Sequence, residues 1–410
     1  MALSRFGIRI AFTLCAFGVS TRVPAQALVI TNATVIDPAA AEPRRTATIV
    51  VENGRISSVG PARTYPRGAQ IIDARGKFVI PGLWEMHGHL AALTPIGRAP
   101  EQFVAHGVLN VRDMGGLPDS LFPLRDAIRS GRRVGPELVL AGMSLNGIQP
   151  AAFHRQVITA DDARAAVHAM KAAGADLIKV HRAIGRDAFT AAIDEAKRLG
   201  LPLSGHVPLV MSWIEGSNAG MHSIEHIQTI FENVEPDPQK MVVQFTAIAA
   251  RLDGAFGDSI FTVMRNNGTY FDPTLIGYEA SIDRAAPAVA AMRRVAYEQM
   301  KRIAARAARS GVKIVTGTDV LERQGEMLWL ELERLVEIGM TPQQVLLAAT
   351  ATSAAAAGRP ELGAVQTGAP ASFVLLDTNP LTDIKNIRTI SAVVLRGQLL
   401  DSAALAELRR

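Results

Sequence analysis

The spacing of hydrophobic positions changes character along the chain. Near the start, "ALVITNATVIDP", "ATIVVENGRISSVG" and "AQIIDARGKFVI" are short runs rich in Val, Ile and Thr, broken by Asn-Gly and Arg-Gly. Such runs between turn-forming dipeptides predict antiparallel strands. A matching β-rich stretch closes the chain in "GAVQTGAPASFVLLD" and "ISAVVLRGQLLD". Neither piece is large enough to make a domain alone. Residues 28–80 and 363–410 are therefore expected to pair into one small β-sandwich built from both chain ends.

Over residues 81–362 short apolar runs alternate with amphipathic segments. "LWEMHGHL", "VLNVRDM", "ELVLAGM", "ADLIKVH", "LPLSGHV", "MHSIEH", "TYFDPTL" and "VKIVTGTD" read as strands. Between them, stretches such as "ADDARAAVHAMKAAG", "RDAFTAAIDEAKRLG" and "EMLWLELERLVEIGM" carry apolar residues at helical spacing, several ending in glycine. Repeated strand–helix alternation predicts an α/β fold with a parallel sheet, and eight such strands predict closure as a (β/α)₈ TIM barrel; an open doubly wound sheet is the alternative. The stretch from Glu232 to Asn267 exceeds what one crossover needs, so an extra helix is expected there.

The first 27 residues depart from both patterns. Arg5 and Arg9 precede the apolar "IAFTLCAFGV", and "AQA" follows as a small-residue cleavage site, which reads as a secretory signal peptide. The apolar run is too short to span a bilayer, so no stable membrane insertion is expected. Removal of Arg5, Arg9 and Arg22 leaves 40 of the 43 basic residues against 38 acidic ones. With no block of like charge, nothing in that balance points to nucleic acid or an anionic membrane as partner, and neither is expected. The single cysteine, Cys15, lies inside the signal, so the exported chain, periplasmic or secreted, has no thiol, and any metal must be held by nitrogen and oxygen. The leader has no twin-arginine pair, which favours export unfolded and metal uptake afterwards.

In a barrel the chemistry sits at the carboxyl ends of the strands. The first expected strand ends in His87 and His89, the fourth in Lys179, the fifth in His206, the sixth in His226 and the eighth in Asp319. Alternation along a strand puts His87 and His89 on one face, with Gly88 between them. Four neutral imidazoles and a carboxylate suit Zn²⁺ and, less selectively, Mn²⁺ or Co²⁺. Lysine is the oddity, because an ammonium group is donor-only and cannot ligate.

The order of these residues resembles the amidohydrolase superfamily of metal-dependent hydrolases over nearly the whole exported chain. "VIPGLWEMHGHL" is similar to its first-strand signature, "GADLIKV" to its fourth-strand lysine, and "GHV", "SIEH" and "TGTD" to its fifth, sixth and eighth strands. "GMTPQQVLLAATATSAAAAG" and "GAPASFVLLDTNPL" resemble its closing helix and returning strand. The branch most resembled holds imidazolonepropionase-like proteins and two-metal, prolidase-like dipeptidases, with relatives that cut N-acyl amino acids, among them an amide-linked mycotoxin. The resemblance implies two divalent ions, Zn²⁺ first among them. His87, His89 and Asp319 would hold one ion, His206 and His226 the other, and a CO₂-derived carbamate on Lys179 would bridge them. Paired ions lower the pKa of a trapped water, and Asp319 is placed to move its proton to the departing amine.

The expected substrate is a small molecule or short peptide with an amide bond, a dipeptide or an N-acyl amino acid. A one-metal cyclic-amide hydrolase or deaminase, a lactone or phosphotriester hydrolase, and a binding protein on the same scaffold are the alternatives. Lys179 favours two metals. Further residues have open roles. His181 shares the face of Lys179 and is a candidate substrate contact or a structural residue; Arg182 could grip a carboxylate or lie in solvent. Tyr270 and Trp329 are candidate pocket walls, and Arg112 with Asp113 a candidate internal ion pair. His106, His154 and His168 read as structural or solvated, and His222 opens the sixth strand at the wrong end for catalysis. Assembly into a homo-oligomer is left open.

Overall fold

The computed structural model describes residues 26–40, 44–61, 64–92 and 96–410. The expected signal peptide, residues 1–27, lies outside the described residues except for its last two. The chain begins with β1 (Leu28–Val35), β2 (Arg44–Glu52), β3 (Arg55–Gly60), β4 (Gln70–Asp73) and β5 (Phe78–Pro81). It passes through Gly82 directly into β6 (Leu83–Gly88), and continues with β7 (Val108–Asp113), β8 (Glu137–Leu140), β9 (Ser144–Asn146), β10 (His154–Gln156), β11 (Ile178–Val180), β12 (Leu203–Gly205), β13 (Ser223–Glu225) and β14 (Tyr270–Asp272). The last strands are β15 (Phe373–Leu376), β16 (Ile390–Leu395) and β17 (Gln398–Leu400).

The two chain ends do share a sheet, but it is one eight-stranded sheet in the order β17-β16-β15-β5-β1-β2-β3, with β4 also pairing β1, where two facing antiparallel sheets were expected. It is mixed: β1 runs antiparallel to β2 and parallel to β4 and β5, and β5 is antiparallel to β15. Strand alternation lets β15 and β16 serve two cores at once. Phe373, Leu375 and Val394 join Leu28, Ile30, Ile49 and Val79 in a small core, while Val374, Leu376, Val393 and Leu395 point into the large one.

The middle of the chain forms an α/β structure with parallel sheets, β6-β7-β8 and β10-β9-β11-β12-β13-β14. Backbone bonds run from one to the other on both sides. Asp176 N donates to Leu140 O at 2.8 Å beside β8; on the other side Val315 N donates to Phe271 O, and Met86 N to Thr316 O, each at 2.9 Å. The expected eighth strand, "VKIVTGTD", lies between β14 and β6, but its ladder is reduced to a single bridge, Ile314 to Phe271. Helices pack outside these strands. The helix Ala160–Ala173 starts in a capping box of Thr159 and Asp162 and stops at left-handed Gly174, as its sequence signals require. The long connection after β13 holds three helices, Thr229–Val234, Pro238–Leu252 and Ala255–Asn267, in agreement with the expected insertion. No described helix is long and apolar enough to cross a membrane.

Candidate metal centre

His87, the penultimate residue of β6, and His89, just beyond the strand, lie side by side with ring centroids 5.2 Å apart. Gly88 between them does not face open space: a Cβ there would lie 2.9 Å from a Val111 methyl, so the residue lets β7 pack against the strand end. Lys179 comes from β11, and His206 and His226 directly follow β12 and β13. Asp319 follows the bridge segment, its backbone N–H bonded to His87 O at 3.1 Å. All six border one cavity of about 400 Å³.

Three histidines each commit one ring nitrogen to the protein and turn the other inward. His87 Nδ1 is 3.0 Å from Glu225 Oε2, His89 Nδ1 is 2.7 Å from Gly115 O, and His226 Nδ1 is 2.8 Å from Thr274 Oγ1. The Glu225 carboxylate and the Gly115 carbonyl can only accept, so Nδ1 of His87 and of His89 carries the hydrogen. His87 Nε2 keeps its lone pair, whereas His89 Nε2 is within hydrogen-bond reach of Asp319, which against burial raises the His89 imidazole above its ordinary range. Those Nε2 atoms converge on one carboxylate: His89 is 3.3 Å and His87 3.9 Å from Asp319 Oδ1, and His226 is 3.7 Å from Oδ2. Ligand atoms of His87, His89 and Asp319 lie within 4.8 Å of one another. Lys179 Nζ is 3.4 Å from His87 Nε2, and the His206 ring stands 4.7 Å from that of His226.

Electrostatics suit ligation. Burial holds His87 and His206 well below the ordinary imidazole range and His226 at about 4, so all three are neutral at physiological pH. Burial also brings Lys179 down to about 8, against the pull of Glu225 and Asp319. Enclosure alone would raise the Asp319 carboxyl, but the hydrogen bond from His89 and the positive charge of its neighbours bring it to about 2. Its side chain is 37% exposed, open to the cavity.

Behind this ring lie carboxylates that the sequence reading did not assign. Glu85, two residues before His87, accepts from His87 N at 2.8 Å and from Thr318 N and Oγ1 at 2.9 Å, tying His87 to the neighbour of Asp319. Burial raises Glu85 to about 7. The candidate pair of Arg112 with Asp113 is corrected: Arg112 bonds Glu225, while Asp113 accepts the Leu90 and Gly115 amides. The two residues are adjacent on a strand, so their side chains leave on opposite faces. A charged residue inside an apolar strand was the available signal for both Glu85 and Glu225.

The remaining candidates separate by position. His181 borders the cavity, its ring 4.2 Å from that of His206, and burial lowers it to about 3. His154, read as structural or solvated, is on β10 and borders the same cavity, 5% exposed, with no protein partner for either ring nitrogen. Arg182 instead pairs with Glu232 at 2.9 Å, half exposed. Tyr270 opens β14 at the end away from the cavity, against His222 and beneath Lys313, because the strand is only three residues long. Trp329 donates to His106 O in the core, and His168 pairs with Glu195.

Comparison with known proteins agrees with this fold. An ochratoxinase of Aspergillus niger is 24% identical over 434 aligned positions, covering 89% of this chain and 84% of that one. The crystal structure of A. niger ochratoxinase superposes with a TM-score of 0.73 at 22% identity, over 92% of this chain and 96% of its own. A Xaa-Pro dipeptidase with bound methionine in its active site gives a TM-score of 0.75 at 22% identity, over 92% and 100%. A dihydroorotase of Trichlorobacter lovleyi is 44% identical over 63 residues, and the chain spans only 15% of that relative's length. The model of the amidohydrolase family matches residues 78–400, from β5 through the parallel strands and all six convergent side chains to β17, and the chain belongs to that family.

Proposed function

We infer that the protein is an exported, metal-dependent hydrolase that cleaves amide bonds of dipeptides or N-acyl amino acids. The observation that carries this reading is the convergence of three imidazole Nε2 atoms, with Lys179 beside them, on the Asp319 carboxylate. The donor set fits two divalent ions: nitrogen and oxygen atoms only, with the rings of His87, His89 and His226 oriented by their outer hydrogen bonds. His87, His89 and Asp319 would hold one ion and His206 and His226 the other, and Lys179, its amine having bonded the carbon of CO₂ with release of a proton, would add carbamate oxygens to the donor set. Divalent ions, Zn²⁺ foremost, supply Lewis acidity toward water and the amide oxygen.

The chain's own groups do the rest. As water adds to the amide carbon, a carboxylate oxygen of Asp319 takes its proton and delivers it to the departing nitrogen, which otherwise leaves poorly. A lowered pKa keeps Asp319 ionised and ready to accept. The cavity has room for a dipeptide-sized molecule, with Met114, Phe153 and Leu321 as apolar wall and His154 and His181 as polar contacts. The two parallel sheets, linked on both sides by backbone bonds, read as one closed (β/α)₈ barrel over residues 81–362, with the mixed sheet as its satellite. The names of the similar proteins, ochratoxinase and Xaa-Pro dipeptidase, support an amide substrate.

The test is a hydrolysis screen of the Zn²⁺-loaded protein against N-acyl amino acids, dipeptides, lactones and phosphotriesters, with Lys179→Ala as control. Amide cleavage lost by at least about 100-fold in the control is expected. Turnover of phosphotriesters alone would overturn the amide assignment, and a fully active Lys179→Ala would overturn the carbamate.

A further inference from the structure

Behind the cavity one side chain reaches the neighbours of both inferred metal positions. Arg112, on β7, is 1% exposed. Its Nε donates to the Met86 carbonyl at 2.7 Å, one terminal nitrogen to Ser223 Oγ at 2.8 Å, and the other to both Glu225 oxygens at 3.0 Å. Ser223 Oγ also bonds Glu225 Oε1, closing the contact into a ring. Each anchor borders a cage histidine: Met86 precedes His87, and Glu225 precedes His226. Glu225 further accepts from His87 Nδ1 at 3.0 Å.

A buried ion pair that serves only the fold needs its remaining donors and acceptors satisfied, but by no particular group. Here the Glu225 carboxylate divides its capacity between Arg112 and the ring of His87, and the guanidinium holds the backbone carbonyl just before that ring. The consequence reaches a ligand atom. With Nδ1 donating to Glu225, His87 Nε2 keeps its lone pair and faces Lys179 at 3.4 Å and Asp319 at 3.9 Å.

We propose that Arg112 and Glu225 are positioning residues of the metal centre: they hold His87 in the tautomer and orientation that aim Nε2 into the cavity, and they lock that first metal position to the second through the peptide joining Glu225 to His226. This rests on the metal-binding reading above.

The test measures Zn²⁺ affinity of the full chain by chelator competition, metal content by elemental analysis, and the visible spectrum of the Co²⁺-loaded protein. Glu225→Gln keeps the volume but offers one acceptor oxygen to three donor groups, Arg112, His87 and Ser223. It is expected to bind Zn²⁺ about 10- to 100-fold more weakly and to shift the Co²⁺ bands, with a wild-type circular dichroism spectrum. Ser223→Ala removes only the hydroxyl that joins Arg112 to Glu225, is expected to weaken Zn²⁺ several-fold, and decides the matter should Glu225→Gln not fold. Wild-type affinity and Co²⁺ bands in the folded variant overturn the positioning role while leaving the function intact. Wild-type protein that takes up no metal overturns the functional reading, and the role with it.

Discussion

His226 and Asp319, which border the cavity, and Thr274, buried behind His226, hold left-handed backbone conformations, at φ +67°, +55° and +44°. A β-branched threonine there is a marked outlier, and such residues persist only where the surroundings over-determine them. Thr274 is held by its bond to His226, and Asp319 by its backbone bond to His87. Asparagine tolerates this left-handed region well, so Asp319→Asn isolates the chemistry from the fold. It is expected to lower kcat/KM for an amide substrate by about 10² to 10⁴-fold. Thermal unfolding should stay within a few degrees of the wild type; a large drop in Tm would show that Asp319 acts through the fold. Sequence order was enough to name six side chains that border one cavity, because each closes or follows a strand or bridge segment of the parallel sheets. Glu225 and His154 were not legible: a carboxylate's partner depends on which strands are neighbours, and β10 is three residues long, too short for any periodicity to register.

Elements were legible where their period ran long enough. The helices with caps at both ends appear as read, whereas "VKIVTGTD" keeps a strand's composition but only one bridge, since its next residues turn to bring Asp319 over His87. Gly205, closing β12 at φ +134°, shows a related constraint: a Cβ there would sit 2.1 Å from Val180 O, so the strand beside Lys179 can approach only without a side chain. The helix Leu275–Asp283 gives a prediction about pH. Its first two amides, Leu275 N and Ile276 N, donate to the two oxygens of Glu331 at 3.1 and 2.7 Å. Glu331 is fully buried, and that burial outweighs the two bonds and raises its carboxyl from 4.5 to about 8. The folded chain therefore holds this proton more tightly than the unfolded one. Its contribution is complete below about pH 4.5 and is lost as pH rises through 8. Glu331→Gln loses one acceptor and should be about 1–2 kcal/mol less stable than wild type near pH 5. The gap should close by pH 9, as followed by urea denaturation; a gap that ignores pH would remove Glu331 as its source.

At the scale of the whole molecule, the sequence made the sharing between chain ends legible but not its form. Alternating β-branched residues announce strands, yet they do not say that β1 runs parallel to β5, because that follows from the chain's passage through Gly82 into β6. The arrangement makes the last forty residues part of the main core. Val374, Leu376, Val393, Leu395 and Leu405 all join the large cluster, and β15 covers the edge of β5. A chain that stops before Phe373 would leave those apolar faces without partners and β5 with an open edge, and an uncovered edge pairs with other chains. Each lost large side chain costs roughly 1.5–3 kcal/mol of burial, so five of them, roughly 7.5–15 kcal/mol, are comparable to the roughly 5–15 kcal/mol that holds a typical native protein together. Deletion of residues 373–410 is therefore expected to give aggregated protein with no cooperative unfolding transition and no Zn²⁺ uptake. A soluble truncated chain that melts cooperatively near the wild-type temperature would show that the parallel sheets stand alone and that the returning strands are an accessory.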